Sequence, residues 1–255
     1  MSGVTQTELV RGDTTGFQAL AGGTATLAAL LFLAAVAALF GVVSPTDPVS
    51  GVPAVSLLGG LLVLAGVGVV GFGAASRMEL AGTDPERSAG LVPATAFSGI
   101  WFLTAALFGA HTLGLGPADG TVVGLAVAGG VFAVTVFTRE DVGSTVPAGG
   151  FALLVGLVFL SGLVGPTWEW APAIVPSSNG VTFFAAVVVP VSVLVCSLLV
   201  AWSAAKAYGG FGARGRHLAA YLLVYLNVTA ILLVLFGLVA FVVSRGLPAV
   251  TRGIT

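Results

Sequence analysis

Seven stretches of the chain run for twenty or so residues without a charge: Phe17 to Val43, Gly51 to Ser76, Val92 to Gly116, Gly120 to Thr138, Val146 to Gly165, Gly180 to Ala205 and Leu218 to Ser244. A helix needs about 20 apolar residues to cross the roughly 30 Å hydrocarbon core of a bilayer, so each run is a candidate membrane span. The fourth and fifth are the shortest and rich in glycine. Turn formers separate the runs: Ser44-Pro45-Thr46-Asp47-Pro48, Thr83-Asp84-Pro85-Glu86-Arg87, Gly116-Pro117-Ala118-Asp119-Gly120 and the stretch from Pro172 to Asn179. The runs are continuous rather than alternating, which argues against barrel strands. A single apolar run is equally compatible with a buried helix of a soluble protein. Seven in succession with hardly any amphipathic face predict an all-α polytopic membrane protein instead.

Composition points the same way. Of 255 residues, 57% are hydrophobic and 7% charged, with a mean hydropathy of +1.11, whereas a soluble domain is about a quarter charged. The net charge is -1 and no basic block exists, so nothing suggests a nucleic-acid partner. The first run is too long for a signal-peptide core, and Glu8 and Asp13 precede it beside a lone Arg11. With the N-terminus inside, seven of the nine Lys and Arg residues fall on cytoplasmic segments and two, Arg245 and Arg252, on the outside tail. Such a bias predicts an N-inside, C-outside orientation in the cell membrane, with Trp168 and Trp170 in an outer interfacial belt.

Residues able to carry chemistry are few. Inside the proposed spans no Asp, Glu, Lys or Arg lies at depth, although proton relays and ion paths depend on them. Lys206 is placed at the cytoplasmic end of the sixth span, so the last span lacks the lysine of a retinal Schiff base. His111 and His217 lie in different segments without partners at metal-ligand spacing. The expected partner of His217 is a lipid headgroup, and that of His111 backbone or a neighbouring helix. Cys196 reads as a buried thiol. Gly66, Gly68, Gly71 and Gly73 form no phosphate loop, since no Lys-Ser/Thr follows. Together with the pairs Gly124/Ala128 and Ala126/Gly130, they predict close helix packing. Asn227, about ten residues into the last span, is read as an interhelical hydrogen bond, with a substrate path as the alternative, and Pro190 as a kink. No catalytic, cofactor or metal residue is assigned, the substrate-binding residues are unknown, and the chain is read as a non-enzyme.

The cluster Arg214-Gly-Arg216-His217, a long span, and then Val243-Ser-Arg245-Gly-Leu-Pro-Ala-Val250 resemble the start of the permease subunits of phosphate ABC transporters (PstA/PstC type). In that family the first permease helix runs from a basic cytoplasmic segment to an outside Arg-Gly-Leu-Pro-Ala sequence. The resemblance covers about a fifth of the chain. It implies that residues 206–255 hold a connector, the first permease-type helix and the start of an outside segment. Residues 1–205 would be an additional six-helix membrane region, as in halophilic archaeal versions. The family's remaining helices and its Glu-Ala-Ala coupling loop have no counterpart here, which implies the N-terminal part of a longer permease or a split gene. The implied partners are the lipid bilayer, a second permease subunit, ATPase subunits and an extracytoplasmic phosphate-binding protein. The competing reading is a non-transport multi-pass protein with a structural or accessory role. The connector Tyr208-Gly-Gly-Phe-Gly-Ala-Arg-Gly-Arg216 reads as a flexible joint between the two regions.

Overall fold

A computed structural model describes residues 11–171 and 182–252, with side chains from 15 to 245 within those ranges. The break from Pro172 to Asn179, Glu8, the side chains of Arg11 and Asp13, and the Leu-Pro-Ala-Val side chains after Arg245 lie outside the described residues. The described chain is almost wholly helical: α1 (Arg11–Leu39), α2 (Ala54–Arg77), α3 (Leu91–Thr112), α4 (Pro117–Phe137), α5 (Glu140–Leu160), α6 (Ala185–Tyr208) and α7 (Gly212–Arg252). All seven are long and apolar enough to span a membrane, so the chain is an all-α polytopic protein. Two ribbons complete it, β1 (Pro48–Val49) with β2 (Val52–Pro53) and β3 (Glu169–Trp170) with β4 (Phe183–Phe184). The first turns through Ser50 and Gly51, both at positive φ (52° and 83°), the backbone of a two-residue type I′ hairpin.

Helix pairing follows small residues. α2 and α5 lie against each other along their length, α1 pairs with α6, and α3 pairs with α4. On α2 the contact falls at Gly59, Gly66 and Gly73, and on α5 at Gly149 and Gly156. A Cβ at Gly59 would sit 2.8 Å from Gly156 O, and one at Gly66 would sit 2.8 Å from Gly149 O, so the two backbones touch directly. The seven-residue repeat on both helices is the signature of a shallow crossing, and without a hydrophobic drive in lipid such close approach is what holds helices together. Gly68 faces Thr24 of α1, whereas Gly71 faces nothing within 4 Å. Of the small-residue pairs on α4, Gly124 packs against Phe102 of α3 and Gly130 meets no neighbour.

Two expectations are corrected. α5 begins at Glu140 rather than Val146, so Glu140 and Asp141 belong to a membrane-length helix and are fully buried. Carboxylates in the first turn suit the positive end of the helix dipole, and Pro147 is accommodated inside the helix, buried with its carbonyl accepting from Trp101 Nε1 at 3.1 Å. The glycine-rich connector is a tight packed turn. Phe211, at φ 62°, is 2% exposed, and Gly212, at φ 60°, has no room for a Cβ beside Asp84 O. A Cβ on Gly215 would lie 2.6 Å from Lys206 O, so these glycines serve close approach rather than flexibility.

Candidate functional site: a buried charge cluster

Because the helices alternate in direction, one end of the bundle gathers the end of α2, the 78–90 connector, the start of α5, the end of α6 and the start of α7. The backbone ties them: Asp84 N donates to Gly210 O at 2.9 Å and Glu140 N donates to Glu86 O at 3.0 Å. Arg77, Arg139 and Arg214 therefore share this end, as the alternation of the sequence predicts. At its centre Glu140 and Lys206, both 0% exposed, form an ion pair with Nζ 2.7 Å from Oε1. The other carboxylate oxygen, Oε2, accepts from Glu86 N and from Gly212 N, each at 2.9 Å. Lys206 Nζ also donates to Ser144 Oγ at 2.8 Å and stands 4.5 Å from the centre of the Trp202 ring. One carboxylate thus fastens three connected segments to α5.

Around this pair the charges continue outward. Arg216 lies 2.5 Å from Glu86 Oε2 and 3.8 Å from Glu140 Oε1. The Arg216 guanidinium hydrogen-bonds to Glu86 and holds that exposed carboxyl below the usual carboxylate range. On the other side Arg139 donates to Asp141 Oδ2 through Nε at 2.9 Å and Nη2 at 2.5 Å, and Nη2 reaches Ser76 O at 2.9 Å. The hydrogen bonds that Arg139 donates to Asp141 push its guanidinium above its ordinary value. Asp141 also accepts from Ser76 Oγ at 2.9 Å and from Val142 N at 2.8 Å. Each buried charge has an opposite partner and hydrogen-bond donors, the condition under which ionised groups survive away from water. Such an arrangement is suited to clamping: Glu140 Oε2 and both Asp141 oxygens accept hydrogen bonds while Glu140 Oε1 faces the charges of Lys206 and Arg216, and among the described residues no three His, Cys, Asp or Glu side chains gather to hold a metal.

The residues singled out from sequence are scattered. Cys196 is buried in the core between helices, as expected. Asn227 donates to Leu223 O at 2.8 Å, within its own helix and on an exposed face, rather than across helices. His217 is exposed beside the cluster and contributes no bond to it. His111 sits at the opposite end and hydrogen-bonds to nothing among the described residues; its ring packs 5.4 Å from Trp168 and 5.3 Å from Trp170, which itself stacks on Phe183.

No family model matches the chain, and no curated protein or solved structure matches it.

Sequence reading missed the clamp because Glu140, Asp141 and Lys206 were each at the border of an apolar run, where a charge ordinarily faces water. The available signal was the imbalance of the Arg139-Glu140-Asp141 triplet: two acids directly before a glycine- and alanine-rich apolar run, and a single lysine at the end of another.

Proposed function

We propose that this chain is a membrane component of an ABC-type phosphate import system, oriented N-inside and C-outside in the cell membrane, and without catalysis of its own. The observation that carries the reading is the state of α7. Only 6% of its most apolar stretch is buried; it packs on the body through Ala219 and Leu226 and then presents large apolar side chains on every side. A helix of that kind is where further permease helices would pack, and it is the same segment that resembles the first permease helix. In this reading the charge cluster holds the base of α7 against the six-helix body, so that the body acts as an anchor. The partners would be a second permease subunit, ATPase subunits and an extracytoplasmic phosphate-binding protein.

Deleting the gene should lower high-affinity phosphate uptake, and the tagged chain should co-purify with a permease and an ATPase. Vesicles holding residues 1–255 alone should take up no phosphate. Unchanged uptake in the deletion strain, with no transporter subunit retained on the tag, would remove the proposal. For orientation, with Cys196 replaced, cysteines at 84 and 214 should resist an impermeant maleimide added outside, and those at 47, 177 and 252 should react.

One observation favours the second reading, a non-transport accessory bundle. Hydroxyls along the spans mostly bond to carbonyls of their own helix, as in Thr95 to Leu91, Thr104 to Ile100, Thr135 to Val131 and Ser197 to Leu194, and so outline no polar path. Retained uptake in the deletion strain would select it.

A further inference from the structure

At the end of the bundle away from the charge cluster, α3 and α6 stand apart. Near the cluster end the Phe97 and Trp202 rings pack edge to face at 5.5 Å. From there to His111 a cleft of about 450 Å³ opens between them, with α5 as its floor. Leu103 and Leu107 form one wall, Val187 and Val191 the other, and Val155 and Val158 the base. Its outer end is framed by His111, Trp168, Trp170 and Phe183.

The dimensions and the chemistry select the occupant. Along α3 the lining runs from Ile100 to His111, and at about 1.5 Å per residue this is about 16 Å, or half of a roughly 30 Å hydrocarbon core. The cleft is therefore as deep as one leaflet. Thr104 on its wall and Thr112 near its mouth donate to Ile100 O and Phe108 O of their own helix, which leaves Ser192 as the one lining hydroxyl without such a bond among the described residues. A water column needs two to four polar partners per molecule, and these walls do not supply them. At the mouth the imidazole of His111 is exposed, makes no hydrogen bond among the described residues and packs against two indole rings. Aromatic rings of this kind sit at the headgroup level of a bilayer. A slot about one leaflet deep, apolar but for the Ser192 hydroxyl, with the His111 imidazole and the Trp168 and Trp170 indoles at its mouth, matches a single-chain amphiphile.

We propose that the cleft between α3 and α6 binds one long-chain amphiphile of the fatty-acid class, its chain between Leu103 and Val191 and its polar head on His111. The inference is independent of a role in phosphate import.

The test uses cis-parinaric acid, a fluorescent polyene fatty acid, titrated into the full chain in nanodiscs, with energy transfer from tryptophan as the signal. Saturable transfer at one probe per chain is expected. Val191→Trp, which fills the cleft, should abolish it, while Val242→Trp on the exposed face of α7 should leave it intact. Should Val191→Trp fail to fold, Leu103→Phe narrows the slot from the other wall by less and should weaken binding at least tenfold. His111→Leu, which removes the head contact, should weaken it about tenfold, the effect of losing one charge-assisted hydrogen bond. Transfer that rises linearly with probe, as in partition into lipid, overturns the proposal. Equal affinity in Leu103→Phe and the unaltered chain overturns it as well.

Discussion

α5 and α7 are both membrane-length apolar helices, and α7 is the more apolar of the two, yet 61% of the apolar stretch of α5 is buried against 6% of that of α7. The difference lies in side-chain size and polarity. The packed faces of α5 carry Ser144, Thr145, Ala148, Gly149, Ala152 and Gly156, whereas α7 beyond Leu226 carries Ile231, Leu235, Phe236, Leu238 and Phe241, all exposed. In lipid, burying a leucine gains little because the alternative is equally apolar, so small residues and paired polar groups decide which helix is enclosed. α5 has both, and its two buried carboxylates lie at the end that fixes the neighbouring connectors.

The strongest way to break the contrast is to cut between the two regions. A chain ending at residue 205 loses Lys206, Phe211 and the Gly212 N–H, so Glu140 loses its cation, a hydrogen-bond donor and the turn that covers it. The lost Phe211 packing and the opened end of the bundle both destabilise what remains. Residues 1–205 should therefore fail to give a monodisperse protein in detergent, whereas residues 1–226 should behave as the full chain does. Equal behaviour of the two would show that the first turns of α7 are not part of the body.

Single substitution at the clamp comes next. Glu140→Ala should destabilise by about 3–5 kcal/mol, read as a lower midpoint of thermal unfolding in detergent, because Lys206 is then buried unpaired. The double variant Glu140→Leu with Lys206→Met should recover most of that loss, since well-packed apolar replacements of a buried pair are often neutral. Recovery would mark the clamp as a device for specifying the arrangement rather than for adding stability.

Smaller again is the effect of helix-facing glycines. Gly156→Leu forces a side chain against the backbone of α2 near Gly59 O and Val63, and should cost about 1–3 kcal/mol or more. Gly237→Leu on α7, where nothing lies within 4 Å, should not destabilise, and Asn227→Leu should stay within about 0.5 kcal/mol because its amide serves only its own helix. A matching loss at Gly237 would mean that α7 already has a partner in the purified protein.

The weakest effect belongs to pH. The Glu86 carboxyl is held low by Arg216, so its contribution is complete above the ordinary carboxylate value and disappears as pH falls through the lower value of the folded protein. Both side chains are about half exposed, which makes the loss small and salt-sensitive. Unfolding midpoints measured from neutral to acid pH should fall slightly more for the natural chain than for Glu86→Gln. Identical profiles would place the α7 base entirely on Glu140.

Uninterrupted apolar length was enough to determine seven helices and their alternation, because crossing a bilayer imposes a minimum span that charge and proline interrupt visibly. The same reasoning placed Arg77, Arg139 and Arg214 at one end, and the glycine pattern announced close packing. Which helices pair was decided only in three dimensions: Gly59 and Gly66 find Gly156 and Gly149, and Gly73 finds Thr145, rather than the glycines of α4, a choice that depends on registers between segments far apart in the chain. The pairing of Glu140 with Lys206 was likewise invisible, since a charge at the edge of an apolar run is ordinarily solvated. It becomes buried only because the 78–90 connector and the Gly209–Gly215 turn close over it. The depth of the His111 cleft was undetermined for the same reason, as a gap is a property of the distance between helices and not of the residues on any one of them.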